Sequence, residues 1–415
     1  MAKFKIGVFG LGRGMAFARI IRDSFADVAE IYAVCDRKPE AVKNALNELP
    51  GCKLSFDSFD EFIDCGLDAV ILANFFHQHA DYAIKAMKKG IAVFCETLPA
   101  VTFKECAELC DAAEESGTKY FFAENYPFSA PNLEMKRLVE SGSLGNIGYA
   151  EGEYWHPSPF ETIRALDPEP YHWRKYSGAG SYYLTHALAP LMYMTGTLPV
   201  EVNARTYSEA GLGESLMRFT DDYITPMLVQ MDNGAVFRVM GCSMLAPHGT
   251  WYHVAGTKGS AETVRGKSDE LRLCYNSWTM PEGAETEKVY APTWAFNSDI
   301  AEKAGHGGGD FWIVYYFIEY LKGNCEAPFD VYKAVAMSMT GIQAWRSVLD
   351  HGNTYPIPDF RDKGQRDAYR GDDLTIFADD DGNGATLPCS SRPLEKDYLD
   401  HYPAMMEEIF GKKDK

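Results

Sequence analysis

Along the first 125 residues, short apolar runs alternate with segments whose apolar residues recur every three or four positions. Runs of the first kind predict buried strands, and segments of the second kind predict amphipathic helices. The predicted strands are 3–9, 30–34, 68–73, 92–95 and 120–123, and the predicted helices are 13–23, 79–89 and 103–116. Strands and helices that alternate with short connections favour an α/β fold with a doubly wound parallel sheet.

The pattern changes after Pro127 and becomes typical of an α+β domain with a mostly antiparallel open sheet. Asn233-Gly234, between two alternating runs, is a hairpin turn signal. The predicted helices of this part are 132–141, 183–194, 310–322 and 330–350, and the predicted strands are 149–156 and several between 200 and 273.

Three regions follow from these patterns. We expect a doubly wound domain at 1–125, an α+β domain for substrate binding and oligomer formation at 126–360, and an irregular polar extension at 361–415.

A glycine turn joins the first predicted strand to the first predicted helix. Gly10 and Gly12 lie in this turn, and Asp36 follows the second strand, 24 residues after Gly12. This arrangement predicts a dinucleotide site, with the pyrophosphate at the helix N-terminus and the ribose hydroxyls on the carboxylate. The pattern departs from the usual motif in one place, because Met15 occupies the third glycine position and Gly14 comes one residue early.

Polar residues follow three more predicted strands, at the carboxyl ends where a doubly wound sheet binds its ligand. Together with the glycine turn they make up the predicted cofactor site. Its members are Gly10, Gly12, Arg13, Gly14, Met15, Asp36, Arg37, Asn74, His79, Glu96 and Asn125. Asp36 favours NAD over NADP because a carboxylate repels the 2′-phosphate, although Arg37 beside it works in the opposite direction.

Charge and composition exclude several classes of partner. The net charge is −19, without a local cluster of Lys and Arg, so nucleic acid and anionic membranes would be repelled. The ten cysteines form no C-x-x-C pair, which is typical of reduced core residues, and we predict no metal site. No signal peptide or apolar run of membrane-spanning length is apparent, so a cytoplasmic location is expected.

Several short motifs resemble those of the Gfo/Idh/MocA oxidoreductases over nearly the full length of the chain. They include G-x-G after the first strand, His79, Cys95-Glu96, and Gly256-Thr257-Lys258-Gly259-Ser260. In the second domain, Trp173-Arg174 precedes a glycine cluster, Gly178 and Gly180, as in this family.

Within that superfamily the chain is most similar to the NAD-dependent glycoside hydrolases typified by α-N-acetylgalactosaminidase. The shared motifs are Glu124-Asn125, Tyr154-Trp155-His156, Tyr183-Leu184-Thr185-His186 before Leu188-Ala189-Pro190, Gly305-His306-Gly307-Gly308 with Asp310, and Asp330-Val331-Tyr332. The resemblance implies oxidation of the C3 hydroxyl of a sugar, elimination across C1–C2, addition of water, and reduction by the retained cofactor.

One departure from the ordinary dehydrogenases affects the chemistry. Their strand-tip Glu is followed by Lys-Pro, and the lysine exchanges a proton with the substrate hydroxyl, whereas this chain has Glu96-Thr97-Leu98-Pro99. Threonine cannot act as that base near neutral pH. The predicted catalytic residues are therefore His186, Tyr183, Tyr154, Glu124 and His156, and the predicted substrate-binding residues are Thr97, Trp173, Arg174 and His306.

Three functions remain open at the level of sequence. The first is an NAD-dependent glycosidase, the second is a sugar or cyclitol dehydrogenase (or a glycoside 3-dehydrogenase that does not cleave), and the third is an inactive nucleotide-binding regulator. The sugar, its anomer and the leaving group are not specified, although the aromatic loop 157–176, with Arg164 and Arg174, is expected to shape the pocket. The resemblance also implies a homodimer or homotetramer.

Overall fold

The computed structural model describes residues 2–158, 169–176, 180–379 and 381–411. The first 122 residues form a six-stranded parallel sheet with strand order β3-β2-β1-β4-β5-β6. Its elements are β1 Phe4–Phe9, α1 Gly14–Ser24, β2 Ala29–Cys35, α2 Pro39–Glu48, β3 Leu54–Phe56, α3 Phe59–Ile63, β4 Ala69–Leu72, α4 His79–Lys88, β5 Ala92–Cys95, α5 Phe103–Ser116 and β6 Tyr120–Phe122.

This sheet confirms the predicted doubly wound α/β fold. The strands β1, β4 and β5 are almost completely buried, as continuous apolar runs require when helices cover both faces. The strand order reverses between β1 and β4, and the crevice outside the carboxyl ends at this point is where such sheets bind ligands.

A second, nine-stranded sheet follows, with strand order β16-β15-β14-β13-β7-β12-β11-β8-β17. All of its neighbouring pairs are antiparallel except β7 and β12. Its strands are β7 Ile147–Trp155, β8 Pro199–Ala204, β11 Pro226–Met231, β12 Val236–Ser243, β13 Gly249–Gly256, β14 Gly259–Val264, β15 Lys267–Tyr275, β16 Glu287–Tyr290 and β17 Tyr355–Pro356, and a separate pair is formed by β9 Tyr207–Ser208 and β10 Asp222–Ile224.

Helices of this part pack against the sheet. Helix α7, Thr185–Thr195, packs closely on β7, since a Cβ on Gly152 would lie 2.0 Å from the carbonyl oxygen of Ala187. The helices of this part are α6 Ala130–Glu140, α7 Thr185–Thr195, α8 Leu212–Leu216, α9 Ser298–Ala301, α10 Gly309–Lys322, α11 Val331–Leu349, α12 Lys363–Asp367 and α13 Lys396–Phe410.

Helix α10 packs with the first domain, although its residues lie beyond the predicted domain boundary. By sequence it lies within 126–360, but its apolar side chains pack into the core of the parallel sheet. The ring of Phe317 lies 5.1 Å from that of Phe94 and 5.5 Å from that of Phe121. The N-terminal domain is therefore completed by a helix from the second half of the chain.

The expectation of an irregular C-terminal extension is wrong for helix α13. Tyr398, Tyr402 and Met406 recur every four residues and are buried, forming a small core with Met217. Pro403 lies within this helix and obscures the helical pattern in the sequence.

Within the described residues, no helix is both long enough and apolar enough to cross a membrane.

Candidate active site

A cleft of about 680 Å³ lies at the carboxyl ends of β1, β2, β4 and β5, where it is also lined by residues of the second domain. It brings together most of the predicted site. The predicted residues that line it are Gly10, Gly12, Arg13, Met15, Asp36, Arg37, Asn74, Glu96, Thr97, Asn125, Tyr154, His156, Trp173, Arg174, Tyr183, His186 and His306.

The glycine turn approaches β4 so closely that only glycine fits at its start. Gly10 has a φ of +88°, and a Cβ there would lie 2.5 Å from the backbone of Ala73. At Gly12 a Cβ would meet no atom within 4 Å, so this position borders open space in the cleft. The carboxylate of Asp36 accepts the N–H of Leu11 at 2.7 Å and thereby fixes the turn.

Gly14, which stands one residue before the usual third glycine position, allows close packing of helix and strand as that glycine does. A Cβ on Gly14 would lie 2.6 Å from Cγ1 of Val8, so this glycine allows α1 to pack closely on β1 instead of lining the cleft. Met15, at the usual glycine position, is buried and borders the cleft.

Arg13 connects three distant segments of the chain. Its Nε donates to Oε1 of Glu96 at 2.9 Å, and its two terminal nitrogens donate to Asp310 at 2.8 and 2.5 Å. Asp310 also accepts Nδ2 of Asn125 at 2.9 Å and Nδ1 of His306 at 3.0 Å. Burial would raise the pKa of Asp310, but hydrogen bonds from Arg13 and His306 outweigh it and hold that pKa well below its usual range.

His79 is buried and does not line the cleft. Its Nδ1 and Nε2 lie 2.8 Å from the carbonyl oxygen of Leu98 and 3.2 Å from that of Asn74. Burial, the larger effect, lowers the pKa of this imidazole. The ring therefore holds the ends of β4 and β5 together, and any support that it gives to a cofactor is indirect.

Glu124, His186 and Tyr183 form a hydrogen-bonded row that ends at the cleft. Oε1 of Glu124 lies 2.6 Å from Nδ1 of His186, and Nε2 of His186 lies 3.0 Å from the hydroxyl of Tyr183. A carboxylate can only accept, so Nδ1 carries the proton and Nε2 accepts the Tyr183 hydroxyl. Glu124 is fully buried behind His186 and does not line the cleft itself.

The second domain fixes this row at its backbone. The hydroxyl of Tyr252 donates to the carbonyl oxygen of His186 at 2.6 Å, and the hydroxyls of Thr97 and Thr185 lie 2.6 Å apart. Burial raises the pKa of Tyr183 well above its usual value, so the phenol stays protonated at neutral pH.

Aromatic side chains surround the remaining part of the cleft. The ring of Tyr154 lies 4.8 Å from that of His186 and 5.5 Å from that of His156. The guanidinium of Arg174 lies 4.3 Å from the ring centre of Trp173. Burial, the largest effect, lowers the pKa of His156, which favours its neutral imidazole. Gly178, Arg164 and residues 159–168 of the predicted pocket loop are outside the described residues.

Two family models cover most of the chain. Residues 4–124 match the oxidoreductase family with an NAD-binding Rossmann fold, which is the Gfo/Idh/MocA model. Residues 131–366, more than half of the chain, match the C-terminal domain of glycosyl hydrolase 109. The chain belongs to glycosyl hydrolase family 109. The predicted resemblance to the glycoside hydrolase branch of the Gfo/Idh/MocA oxidoreductases is thereby confirmed.

Two relatives agree with this membership. The glycosyl hydrolase family 109 protein of Stenotrophomonas maltophilia is 25% identical over 408 residues, which cover 86% of this chain and 89% of the relative. That of Shewanella pealeana is 24% identical over 400 residues, covering 87% and 86%. A levoglucosan dehydrogenase solved with NADH and levoglucosan shares the fold, with a TM-score of 0.71, 20% identity, and coverage of 86% of this chain and all of the other.

The residues of this family 109 cleft fit a dinucleotide. The turn at Gly10 and Gly12 leaves open space at the start of α1, and Asp36 stands at the end of β2. The side-chain oxygens of Asn74 and Asn125 are buried beside this space and accept no hydrogen bond from the described residues. Buried acceptors of this kind need donors, which ribose hydroxyls and a carboxamide would supply.

Sequence reasoning missed two residues that contact the cleft-lining side chains. Asp310, which joins Arg13 to His306, was identified only as part of a motif, although its position four residues after His306 at a helix start is a usable signal. The ring of Tyr126, directly after Glu124-Asn125, lies 4.6 Å from that of His186 in a tilted arrangement and 5.6 Å from that of His306 edge to face.

Proposed function

We propose that this protein uses NAD to oxidise a hydroxyl of a sugar, at C3, in the service of cleaving a glycosidic bond. The observation that carries this proposal is the buried row of Glu124, His186 and Tyr183, which ends at the same cleft as the glycine turn. It supplies a proton acceptor where Thr97 replaces the lysine of ordinary dehydrogenases.

The cofactor would be held by the first domain. Gly10 and Gly12 would leave room for the pyrophosphate. Asp36 would bind the hydroxyls of the adenosine ribose, and Asn74 and Asn125 would bind the remaining polar groups of NAD. When bound, NAD takes up a hydride and returns it. Preference for NAD over NADP is supported by Asp36, and also by Arg37, which stacks at 5.0 Å on Phe75 and lies 3.9 Å from Glu169 instead of standing alone as a phosphate-binding cation.

The row of three side chains explains how a hydroxyl proton could leave. Tyr183 can take the proton of the sugar hydroxyl while it passes its own proton to Nε2 of His186. The imidazolium that forms would be stabilised by Glu124, whose carboxylate already accepts Nδ1–H. Because the three groups are aligned before substrate arrives, little reorganisation is needed at the moment of transfer.

Cleavage requires a second base. A ketone at C3 acidifies the proton on C2, and removal of that proton allows the group on C1 to leave. His156 lines the cleft, and its lowered pKa favours the neutral imidazole that could accept this proton. Tyr154, Trp173 and Arg174 would bind the sugar by stacking and hydrogen bonding. A carbohydrate substrate is further supported by the sugar named for the levoglucosan dehydrogenase of the same fold.

The test is a panel of aryl glycosides, with p-nitrophenyl α-N-acetylgalactosaminide among them, assayed with and without NAD. We expect release of the aryl group that depends on bound NAD, without net formation of NADH. Steady NADH formation with free sugars and no cleavage would instead identify a simple dehydrogenase. NAD binding without any turnover would identify a regulator.

A further inference from the structure

The short turn that carries Trp173 lies between two cavities. Trp173–Lys175 forms a single 3₁₀ turn, with the cleft on one side and a second cavity of about 580 Å³ on the other. Trp173 and Arg174 line the cleft, whereas Tyr171 and Tyr176 line the second cavity. Because a cavity supplies no packed atoms, the position of this turn depends on the side chains that contact it elsewhere.

Phe377 contacts the structure on both sides of Trp173. Its ring lies 5.3 Å from that of Phe76, and the ring of Phe76 lies 4.0 Å from that of Trp173. The Phe377 ring also lies 6.1 Å from that of Tyr176, whose backbone N–H donates to the carbonyl oxygen of Trp173 at 3.1 Å. Phe377 is only 4% exposed. It is therefore a buried support behind the part of the cleft wall that Trp173 forms.

The segment that carries Phe377 is itself held in place. This segment, residues 372–379, which we call the strap, lies beyond the part of the chain that matches the family 109 domain. At its start, Arg346 donates two hydrogen bonds of 2.7 Å to the carboxylate of Asp372. Further along, the N–H of Phe377 donates to Oγ1 of Thr375 at 3.1 Å. The ring of Phe377 is thus presented from a fixed backbone.

The row of proton-transfer side chains has supports of its own. Phe377 does contact the ring of Tyr182 at 5.1 Å, one residue before the row begins at Tyr183. Hydrogen bonds nevertheless join the row, at 3.0 Å between Tyr183 and His186 and at 2.6 Å between His186 and Glu124. Loss of the supporting ring should therefore displace the Trp173 side of the cleft and leave the row in place.

We propose that Phe377 is a positioning residue for sugar binding, which holds the ring of Trp173 against the face of the sugar through Phe76 and Tyr176. The inference rests on the proposed function, in which Trp173 stacks on the sugar. Such a contact depends on the plane and the distance of the ring. A turn that could shift towards the second cavity would lose this contact.

The variant that tests this role is Phe377→Leu, which keeps an apolar side chain but removes the ring. With an aryl glycoside that the wild type cleaves, we expect KM to rise about three- to tenfold and kcat to change less than about twofold. NAD affinity should stay close to that of the wild type, since the strap does not line the cleft. If Phe377→Leu does not fold, Phe377→Met, which is unbranched and fills irregular space, should show the same split between KM and kcat.

Phe360→Leu is the matched control. Phe360 is 2% exposed and lies outside the cleft, where its ring is 6.1 Å from those of Phe103 and Tyr369. This variant should lose a similar amount of stability in urea unfolding and leave KM unchanged. A rise in KM that is confined to Phe377→Leu separates positioning of the cleft wall from a general loss of packing.

A double variant tests whether Phe377 acts through Trp173. In a Trp173→Leu background the stacking contact is already absent, so adding Phe377→Leu should raise KM less than about 1.5-fold further. Independent effects of the two substitutions, a fall in kcat with KM unchanged, or an equal rise in KM for Phe360→Leu would overturn the role of Phe377 while the proposed function stands. Failure of the wild type to cleave any glycoside of the panel would instead overturn the proposed function, and this inference with it.

Discussion

At the scale of single residues, the chemistry depends on how Glu124 and Asp310 hold two imidazoles. Both carboxylates are buried, and each accepts Nδ1 of a histidine that lines the cleft. A carboxylate in this position fixes the tautomer and orientation of the ring and stabilises the imidazolium. Glu124 therefore acts through His186, and its removal should change turnover without changing NAD binding. Asp310 also holds Arg13 and Asn125 at the cofactor site, so its removal should affect NAD binding as well.

The first prediction concerns Glu124→Gln. The amide keeps the shape of the side chain but cannot stabilise a positive imidazole, so we expect kcat on the aryl glycoside to fall about 10²–10³-fold. NAD affinity, measured by quenching of protein fluorescence, should change less than about threefold because Glu124 does not line the cleft. Glu108→Gln, at an exposed position of α5, is the matched control. A kcat close to that of the wild type would contradict the role of the row.

The second prediction concerns Asp36→Ser. Loss of the carboxylate removes the repulsion of a 2′-phosphate as well as a partner for the ribose hydroxyls. The ratio of the dissociation constants for NADP and NAD should therefore fall by about tenfold, or about 1.4 kcal/mol. Titration of both nucleotides measures it, with Asp27→Ser at an exposed position as the control. An unchanged ratio would show that Asp36 does not select the cofactor.

Much of the residue-level site could be predicted, and the exceptions have physical reasons. The positions of Asn74, Glu96 and Asn125 after predicted strands indicate that they lie together at the cleft, because parallel strands end at one edge of the sheet. The partner of Arg13 could not be predicted, since Asp310 is 297 residues away along the chain. That contact depends on the packing of a whole helix and not on a local pattern.

At the scale of elements, helix α10 is the part that links the two halves of the chain. It begins directly beside Asn125, because a Cβ on Gly309 would lie 2.3 Å from the Asn125 carbonyl oxygen. Its first turn supplies Asp310, and its later turns supply the rings that pack on Phe94 and Phe121. Its position therefore fixes both the core of the first domain and one wall of the cleft.

The third prediction follows from this close contact. Gly309→Ala would force α10 away from Asn125, and we expect a loss of about 1–3 kcal/mol in the free energy of unfolding. NAD affinity should fall as well, because Asn125 and Arg13 are both held through this helix start. Gly371→Ala, where a Cβ meets no atom within 4 Å, should leave both quantities close to the wild type. Equal behaviour of the two variants would contradict the proposed role of the contact.

The sequence predicts whether a segment is a strand or a helix better than it predicts which other elements that segment packs against. The strand and helix patterns of the first domain reproduced the observed β–α order because buried strands are continuous apolar runs. The same patterns do not say where α10 packs, since an apolar helix can be buried in either domain. The sequence does not indicate α13 clearly, because Pro403 lies in the middle of this helix.

At the scale of the whole molecule, charge as well as apolar contact joins the two halves of the chain. Arg13 of the glycine turn is bonded to Asp310 of α10, and the side chain of Asp310 is 3% exposed. A carboxyl whose pKa is lower in the folded than in the unfolded protein adds stability above its unfolded pKa. That stability is lost as the pH falls below about 3.8, the ordinary value for aspartate.

The fourth prediction uses this dependence. Asp310→Asn should lower the free energy of unfolding by about 3 kcal/mol at pH 7, since it leaves part of the Arg13 charge without a partner. The difference from the wild type should stay constant from pH 7 to pH 5 and shrink below pH 4. Urea unfolding at a series of pH values measures it. A difference that already shrinks between pH 7 and pH 5 would show that another group is responsible.

The central claim is that a redox cofactor takes part in cleavage of a glycosidic bond in this cleft. The isotopic composition of the released sugar tests this claim. Removal and return of the C2 proton should exchange it with solvent, so cleavage of the aryl glycoside in D₂O should yield a sugar with deuterium at C2. Mass spectrometry and NMR of the product measure this directly. We predict about one deuterium at C2 for each bond cleaved. Cleavage that leaves hydrogen at C2, at a rate that does not depend on NAD, would contradict the account.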